Sequence, residues 1–262
     1  MALQFSVLSS GSRANSTLVR SASNTVLIDC GLSLREIELR IRQLDVEPST
    51  IEAIVISHEH TDHTSGVRLF VKRYGIPVYM NRATAKAAKF ETGEYLPFES
   101  GSRFSIGDLS FNPVPISHDA AEPVAFRIDA VSRAFAIVTD LGYVTPQVED
   151  IFHGLDALVL ESNHDKDMLQ RGPYPWHLKQ RILSRVGHIS NCTASTVLEQ
   201  IVAKPDSKLK VVVGAHVSEK NNTPELVAEA LSAAIIKTAV PVERCPELLI
   251  ASAKAATRWV VV

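Results

Sequence analysis

The segment from Ser57 to His63 carries the residue types that most directly indicate chemistry. Three imidazoles and the carboxylate of Asp62 lie within six positions, beginning at His58. The segment directly follows the apolar run at residues 53–56, which is typical of a buried strand. Because histidine and aspartate need polar partners when they leave water, packing does not explain this cluster. The pattern therefore predicts a metal site and fits a merely solvated polar loop poorly.

The spacing of these residues distributes them over two ions. In an extended loop, residues two apart face the same way, so His58 and His60 are placed to bind one ion. Asp62 and His63 follow past a bend and are placed to bind another. Four ligands are too few for two ions, because each needs four or more donors and a catalytic ion keeps one position open. The remaining ligands are therefore expected at other strand ends.

Three later residues meet this expectation, because each follows an apolar run that predicts a strand. They are His118, Asp140 and His216. A single histidine after a strand is more often a hydrogen-bonded structural residue than a ligand. The recurrence of metal-capable residues at three strand ends, beside the cluster at residues 58–63, favours ligation.

These residues resemble the HxHxDH motif and the later strand-end ligands of the metallo-β-lactamase superfamily, and the match spans nearly the whole chain. The resemblance implies an α+β fold, specifically an αββα sandwich, in a single domain over residues 1–262 with a dinuclear metal site at the edge of its two sheets. It implies that one ion is held by His58, His60 and His118, the second by Asp62, His63 and His216, and that Asp140 bridges both. Asp29 resembles the family's early strand-end aspartate, which supports the ligand loop without binding metal.

Further segments are similar to the YycJ/WalJ group of this superfamily. They lie at residues 9–12, 139–142, 161–165, 173–177, 187–191 and 216–222. Members of the group are compact and lack an inserted nucleic-acid-clamping domain, and 5′-exonuclease activity on DNA has been attributed to it. Glu161 and His188 resemble the pair with which ribonuclease Z-type phosphodiesterases protonate a leaving oxygen. We therefore expect His188 to act as general acid, oriented by Glu161, while Asp62 or Asp140 steers the proton of the attacking water.

The resulting hypothesis is a dinuclear metal-dependent hydrolase of phosphodiesters, most specifically a DNA 5′-exonuclease whose nucleophile is a metal-bridging hydroxide. The two divalent ions are zinc or manganese, with iron also open, because a ligand set of nitrogen and oxygen does not choose among them. Lactam-hydrolysing members usually carry cysteine or serine where this chain has Asp140. Two alternatives stay open: a small-molecule metallohydrolase acting on a cyclic phosphodiester, lactone, thioester or β-lactam, and a non-catalytic metal-bound regulatory protein.

A basic and aromatic segment is the candidate for binding a nucleic-acid strand. Its candidate substrate-binding residues are Arg171, Tyr174, Trp176, Lys179 and Arg181. Cations would contact phosphates and the rings would stack on bases. The alternative is an amphipathic surface helix over residues 175–186, with Leu178, Ile182 and Leu183 facing inward and the basic residues solvated.

Three other residues are candidates for supporting contacts. Arg13 and Asn15 lie in an early loop and are further candidates to contact a nucleic acid. His164 is a candidate for a contact behind the metal ligands, or alternatively part of the cap of a helix over residues 165–170.

Composition limits the classes of protein that fit. The chain has 262 residues, with 27 basic and 29 acidic side chains and a net charge of -2, so no global positive field draws it to nucleic acid. Apolar runs are far shorter than the roughly 20 residues of a membrane span. Three widely spaced cysteines and an amino terminus without a signal-peptide pattern predict a cytoplasmic protein with reduced thiols. The sequence leaves the oligomeric state open.

Alternating and helical periodicities predict the elements that must position these residues. An antiparallel meander is expected over residues 3–29, followed by a helix that begins after the capping box of Ser33 and Glu36. A helix is expected at residues 65–74, and Thr145 and Thr223, each followed by proline, predict two later helix starts. The remaining predicted strands lie at residues 53–56, 102–106, 109–116, 124–128, 134–138, 157–160, 209–213, 248–251 and 258–262.

Overall fold

A computed structural model describes residues 3–262 of the chain, so the first two residues of the predicted domain lie outside the described part. Within residues 3–262, fourteen strands form two mixed sheets of seven strands each. The strands are β1 (Gln4–Ser9), β2 (Ser16–Arg20), β3 (Thr25–Ile28), β4 (Ala53–Val55), β5 (Val78–Met80), β6 (Leu96–Pro97), β7 (Phe104–Ile106), β8 (Leu109–Pro115), β9 (Val124–Ala130), β10 (Arg133–Val138), β11 (Ala157–Glu161), β12 (Val211–Ala215), β13 (Glu247–Ile250) and β14 (Val260–Val261).

The helices alternate with the strands along the chain. They are α1 (Leu34–Arg42), α2 (Thr61–Thr64), α3 (Val67–Tyr74), α4 (Arg82–Ala87), α5 (Pro146–Ile151), α6 (Lys166–Arg171), α7 (Trp176–Ile182), α8 (Asn191–Val202) and α9 (Pro224–Lys237). The first sheet has the order β14-β1-β2-β3-β4-β5-β6, and the second has the order β13-β12-β11-β10-β9-β8-β7. The predicted meander is confirmed, because β1, β2 and β3 pair antiparallel in sequence.

Three apolar clusters hold the layers together and confirm the predicted αββα sandwich. The central cluster joins the inner faces of both sheets, where the rings of Phe5 and Phe135 stack 4.5 Å apart. A second cluster packs α5, α8 and α9 on the outer face of the second sheet, and a third packs α1, α3 and α4 on the outer face of the first. Burying both faces of both sheets explains why many strands read as nearly continuous apolar runs.

The predicted helix over residues 175–186 is wrong in length. The helix α7 ends at Ile182, and Leu183, which was expected to face inward, is 48% exposed. The chain turns back across the end of α7, because the amide of His188 donates to the carbonyl of Ile182. A β-carbon added at Gly187 would lie 2.2 Å from that same carbonyl oxygen, so the turn needs a glycine. The shorter helix brings His188 close to the strand ends of the second sheet.

One edge of the sandwich collects the polar residues of the predicted site. The strands β3 and β4 are parallel, as are β10, β11 and β12, so their carboxyl ends meet at a common edge. Three residues just beyond these strand ends, Asp29, Asp140 and His216, have φ angles of 56°, 58° and 53°. The left-handed conformation costs a residue other than glycine about 1–2 kcal/mol, which marks these positions as candidates for function.

Replacing Gly31 by alanine is expected to destabilise this edge. A β-carbon at Gly31 would lie 1.7 Å from the carbonyl oxygen of Asp62 and 2.8 Å from the amide nitrogen of Asn15. Because these backbone atoms cannot move away without disturbing their own segments, the overpacking should lower the free energy of unfolding by about 1–3 kcal/mol or more. Urea denaturation of the metal-free protein measures this loss. An unchanged unfolding midpoint would contradict the close approach of the three chain segments.

Candidate metal centre

Three histidines form the first group of the site. His58 Nε2 lies 3.1 Å from His60 Nδ1, and His118 Nε2 lies 3.3 Å from the same His60 atom. His58 and His60 follow β4 in the first sheet, whereas His118 follows β8 in the second. Ring nitrogens from both sheets therefore converge on one point, and this group could hold a metal ion.

A second group lies beside the first. Asp62 Oδ2 lies 3.5 Å from His63 Nε2 and 3.9 Å from His216 Nε2. Asp62 and His63, which were expected past a bend, lie on the short helix α2, which begins directly after His60. The helical turn brings Asp62 and His63 close to His216, which follows β12. This group could also hold a metal ion.

Asp140 lies between the two groups. Its Oδ2 is 3.3 Å from His63 Nε2, and its Oδ1 is 3.4 Å from His216 Nε2 and 3.8 Å from His118 Nε2. The carboxylate thus faces ring nitrogens of both groups. We call the set His58, His60, Asp62, His63, His118, Asp140 and His216 the ligand cluster.

The ligand cluster passes a geometric test for divalent cations. Tetrahedral ligands about 2.1 Å from a zinc ion lie about 3.4 Å from one another, and the separations within the cluster fall around that value. Within the described residues, Asp140 Oδ2 and His216 Nε2 are buried side-chain atoms that lack a hydrogen-bond partner. Buried polar atoms without partners are costly, and a cation would satisfy both.

Protonation of the ligand cluster reflects crowding of imidazoles and carboxylates. Burial and the neighbouring His63 hold the pKa of His58 well below its ordinary value. Burial opposes protonation of His216 as well, but Asp140, Asp62 and Glu161 outweigh burial and raise the pKa of His216 to about 10. Burial alone would raise the pKa of Asp140, yet the nearby His216 and His63 hold it well below its ordinary range. Cations entering the cluster must therefore displace protons, so metal binding is coupled to pH.

Asp29 contacts the ligand cluster and Ser57 from behind through hydrogen bonds. Its Oδ2 accepts a hydrogen bond from His63 Nδ1 at 2.8 Å, and its Oδ1 accepts from the amide of Ser57 at 2.8 Å. A carboxylate behind a ligating histidine fixes the tautomer and the orientation of the ring. Asp29 therefore locks His63 and the start of the ligand segment together.

Glu161 connects two histidines. Its Oε1 lies 2.8 Å from His216 Nδ1 and 2.9 Å from His188 Nδ1, and its carboxylate also accepts hydrogen bonds from the amides of Asp140, Leu141 and Ile189. Burial opposes ionisation of Glu161, but His188 and His216 outweigh it and lower its pKa to about 2. Glu161 thus remains charged and orients both rings.

His188 lies against the ligand cluster without being needed to complete either metal group. Its ring centroid lies 5.1 Å from that of His118 and 5.1 Å from that of His216. Its Nδ1 faces Glu161, so Nε2 is the ring nitrogen left to meet another molecule. The ring also lines an adjacent cleft of about 160 Å³.

This cleft contains part of the predicted substrate-binding set. Its walls are formed by Ser12, Asp119, Asn163, Tyr174, Leu178, Arg181, Ile182, Gly187, His188 and Ser218. Tyr174 and Arg181 thus line the cleft beside His188, and their contact with substrate stays a prediction. Arg171, Trp176 and Lys179 do not line the cleft, although Trp176 is 67% exposed on α7.

Asn15 has a different environment from the one expected. It was a candidate to contact nucleic acid, but it is only 6% exposed. Its Nδ2 donates to Asp62 Oδ2 at 3.1 Å and lies 3.0 Å from His63 Nε2, while its Oδ1 accepts from the amide of Gly11. Asn15 therefore orients Asp62, which lies 47 residues further along the chain. The only sequence signal for this contact was the position of Asn15 in a Ser/Gly/Asn-rich turn.

His164 is also buried, but it does not support the ligands through hydrogen bonds. In the described part of the chain its Nδ1 has no hydrogen-bond partner, and burial lowers its pKa to about 4. The helix α6 is capped by the side chain of Asp165, which accepts from the amide of Met168. Within residues 3–262 no hydrogen bond joins His164 Nδ1 to a metal ligand, and a role for His164 behind the ligands stays a prediction.

Replacing Asp29 by asparagine is expected to weaken metal binding about 10–100-fold, because the carboxylate behind a ligating histidine is lost. Asparagine tolerates the left-handed backbone at this position, so the change mainly removes charge. Competition with a chromogenic chelator measures the affinity, and thermal unfolding of the metal-free protein controls for folding. Wild-type affinity in a folded variant would mean that Asp29 acts only in packing.

No helix among residues 3–262 is both long enough and apolar enough to cross a membrane.

Comparisons with known proteins agree with this geometry. Residues 24–211 match the family model described as a beta-lactamase superfamily domain. The chain is 35% identical to an exodeoxyribonuclease YycJ from Bacillus anthracis, covering 88% of this chain and 89% of that protein. It is 34% identical to an exodeoxyribonuclease WalJ from Streptococcus pneumoniae, covering 85% and 84%. Among solved structures, the metallo-beta-lactamase fold protein YhfI from Bacillus subtilis is similar with a TM-score of 0.74 at 16% identity, covering 98% of this chain and 99% of that one.

Proposed function

The chain belongs to the beta-lactamase superfamily and is a metal-dependent hydrolase, and on that premise we propose that it is a dinuclear DNA exonuclease that acts from the 5′ end. DNA is the proposed substrate because the two relatives compared above are named exodeoxyribonucleases. The proposed metal chemistry is supported by one observation: the side chains of the ligand cluster converge, and Asp140 lies between the two groups. Zinc and manganese are the proposed ions.

Two divalent cations held in this cluster would neutralise a phosphodiester and lower the pKa of a water ligand to about 7. His58, His60 and His118 would hold the first cation, and Asp62, His63 and His216 the second. Asp140, whose carboxylate faces ring nitrogens of both groups, would help to hold both cations. Because the set contains only nitrogen and oxygen donors, it suits a hydrolytic role for zinc or manganese.

The protein's own groups supply the proton transfers. Asp62 is 21% exposed at its side chain, whereas Asp140 is 4% exposed. Asp62 is therefore the better placed of the two to accept a proton from water and pass it to solvent, while Asp140 holds charge inside the site. Neither role requires a residue outside the ligand cluster.

His188 is the proposed proton donor to the departing oxygen. Glu161 holds its Nδ1, which leaves Nε2 directed away from that carboxylate and available to donate. The ring is 20% exposed at its side chain and lines the cleft, so a substrate could reach it. A general acid that is oriented by a carboxylate typically contributes about 10²–10⁴-fold to the rate.

The experiment that tests this function is a substrate comparison with reloaded protein. Metal-free protein is reloaded with Zn²⁺ or Mn²⁺ and offered DNA labelled at either end, RNA, a chromogenic phosphodiester and a cephalosporin. The proposal predicts release of mononucleotides from the 5′ end of DNA, with affinity for DNA that falls steeply as salt rises. Hydrolysis of the cephalosporin or of a small phosphodiester without any cleavage of DNA would favour a small-molecule metallohydrolase. Metal binding without turnover of any substrate would favour a regulatory protein.

A further inference from the structure

Asp119 is a charged residue beside the ligand cluster that the reaction described above does not use. It follows His118 directly in the chain, and its Oδ1 lies 3.5 Å from His118 Nε2, the nitrogen that faces the first metal group. Among the described residues, Oδ1 is buried and has no hydrogen-bond partner. The other oxygen, Oδ2, accepts a hydrogen bond from Arg181 Nε at 2.5 Å. One carboxylate therefore connects the ligand cluster to a cation on the helix α7.

The geometry of Arg181 leaves most of its donors free. Its guanidinium carries five N–H donors, and in the described part of the chain the Nε group alone has a partner. The side chain is 57% exposed, and the residue lines the cleft next to His188. The two Nη groups can therefore meet a phosphate in the paired geometry that guanidinium groups favour.

Asp119 restrains a side chain that would otherwise be mobile. An exposed arginine has about 2 kcal/mol of rotamer entropy to lose when it binds a ligand. The hydrogen bond to the carboxylate of Asp119, in the segment that follows β8, fixes the guanidinium before the ligand arrives. Because the carboxylate of Asp119 stands between Arg181 and His118, the guanidinium is held off the metal groups. It lines the cleft together with His188.

We propose that Asp119 is a positioning residue that holds Arg181 at the cleft, where the two Nη groups of Arg181 bind a DNA phosphate next to the phosphodiester being cleaved. This inference rests on the proposed function, because it requires a substrate with more than one phosphate. It predicts that the Asp119 and Arg181 pair discriminates DNA from small phosphodiesters.

The test compares Arg181→Ala, Arg181→Lys, Asp119→Asn and the double variant Asp119→Asn with Arg181→Ala. Kinetics are measured on a DNA oligonucleotide and on bis(p-nitrophenyl) phosphate, and DNA binding is followed by fluorescence anisotropy. A bidentate charged contact implies that Arg181→Ala raises the KM for DNA about 10–100-fold, at least tenfold more than it raises the KM for the chromogenic diester. Arg181→Lys is expected to lie between, because lysine lacks the paired geometry.

The Asp119→Asn variant tests whether Asp119 positions the side chain of Arg181. Alone, it is expected to raise the KM for DNA about three- to tenfold, since Arg181 is still present but less fixed. In the Arg181→Ala background, Asp119→Asn should raise the KM for DNA no further, because Asp119 affects DNA binding only through Arg181. Metal content of every variant, measured by mass spectrometry, separates this role from direct metal binding.

The chain offers a matched control in Arg258. Its side chain is 55% exposed and forms a 2.5 Å ion pair with Glu247, much like Arg181 with Asp119. Glu247 begins β13 and lies beside Val211 at the start of β12, whereas His216 follows the end of β12. Arg258→Ala therefore removes an equivalent cation from the opposite edge of the sheet and should retain the wild-type KM for DNA.

Several outcomes would overturn the inference and leave the proposed function standing. If DNA is cleaved and Arg181→Ala leaves its KM unchanged, Arg181 does not bind substrate. If Asp119→Asn loses metal, or slows turnover of both substrates in the Arg181→Ala background, Asp119 serves the metal site directly. If the wild-type protein neither binds nor cleaves DNA while it still hydrolyses the chromogenic diester, the DNA proposal and this inference fail together.

Discussion

Replacing Asp140 by asparagine is expected to lower phosphodiester hydrolysis by at least about 10³-fold and to reduce the bound metal from two equivalents to one or fewer. Asp140 is the residue whose two oxygens face both metal groups. Losing the proposed bridge removes several kcal/mol of charge stabilisation, and each 1.36 kcal/mol is about tenfold in rate. Asparagine keeps the shape and tolerates the φ of 58°, so the backbone need not change. Metal content by mass spectrometry and turnover of a chromogenic phosphodiester measure both effects.

Asp156 provides a matched control for this substitution. It is 3% exposed, as Asp140 is, and it forms ion pairs with Arg133 and Lys210. Asp156 precedes β11, whereas Glu161 of the site ends that strand, so Asp156 lies at the opposite edge. Asp156→Asn should lower stability and retain two metal ions. Equal metal loss in both variants would mean that Asp140 acts through general stability and not as a bridge.

Replacing His188 by alanine is expected to lower kcat for DNA about 10²–10⁴-fold while both metal ions remain bound. The departing alkoxide of DNA needs a proton, and His188 is the imidazole that lines the cleft with one nitrogen free. A p-nitrophenolate leaving group needs no proton, so turnover of bis(p-nitrophenyl) phosphate should fall much less. The ratio of the two losses is therefore the measurement that identifies a general acid.

Two results would contradict the role of His188 as general acid. Equal losses on both substrates would mean that the ring supports the metal site through Glu161, which also contacts His216. Loss of metal would lead to the same conclusion. His153→Ala, which removes a histidine two residues past the end of α5 whose Nε2 faces Lys204, serves as the control and should behave as wild type.

The residues of the two metal groups could largely be predicted because each is marked by a pattern in its own stretch of sequence. The sequence from His58 to His63 holds four candidate ligands in one segment, and the other three each follow an apolar run that ends a strand. Parallel strands bring such ends to a common edge, so proximity follows from topology. The helical turn of α2 was not predicted, because four residues are too short a segment for helical periodicity to show.

Contacts between distant segments could not be predicted in the same way. Asn15 meets Asp62 because Gly31 lets three backbone segments approach closely, and no local pattern encodes that approach. The pairing of Asp119 with Arg181 joins residues 62 positions apart, and it depends on where α7 ends and how the chain turns back. The side-chain environment of such residues is a product of packing, which sequence periodicity does not report.

Most strands and helix starts were predicted, and the exceptions have physical reasons. The strands β5 and β6 have three and two residues, too few for an alternating pattern to be visible. The helix α8 begins with Asn191 after the capping serine Ser190, but its first turn is rich in small and β-branched residues that do not indicate a helix. The caps at Thr145 and Thr223 are confirmed, since each side chain accepts from an amide in the first helical turn.

Anomalous diffraction from crystals of the protein grown with Mn²⁺ or Zn²⁺ would locate the ions directly. We expect two peaks, one among His58, His60 and His118 and the other among Asp62, His63 and His216, with Asp140 in contact with both. A single peak away from these side chains, or no peak in crystals that diffract well after metal loading, would contradict this expectation.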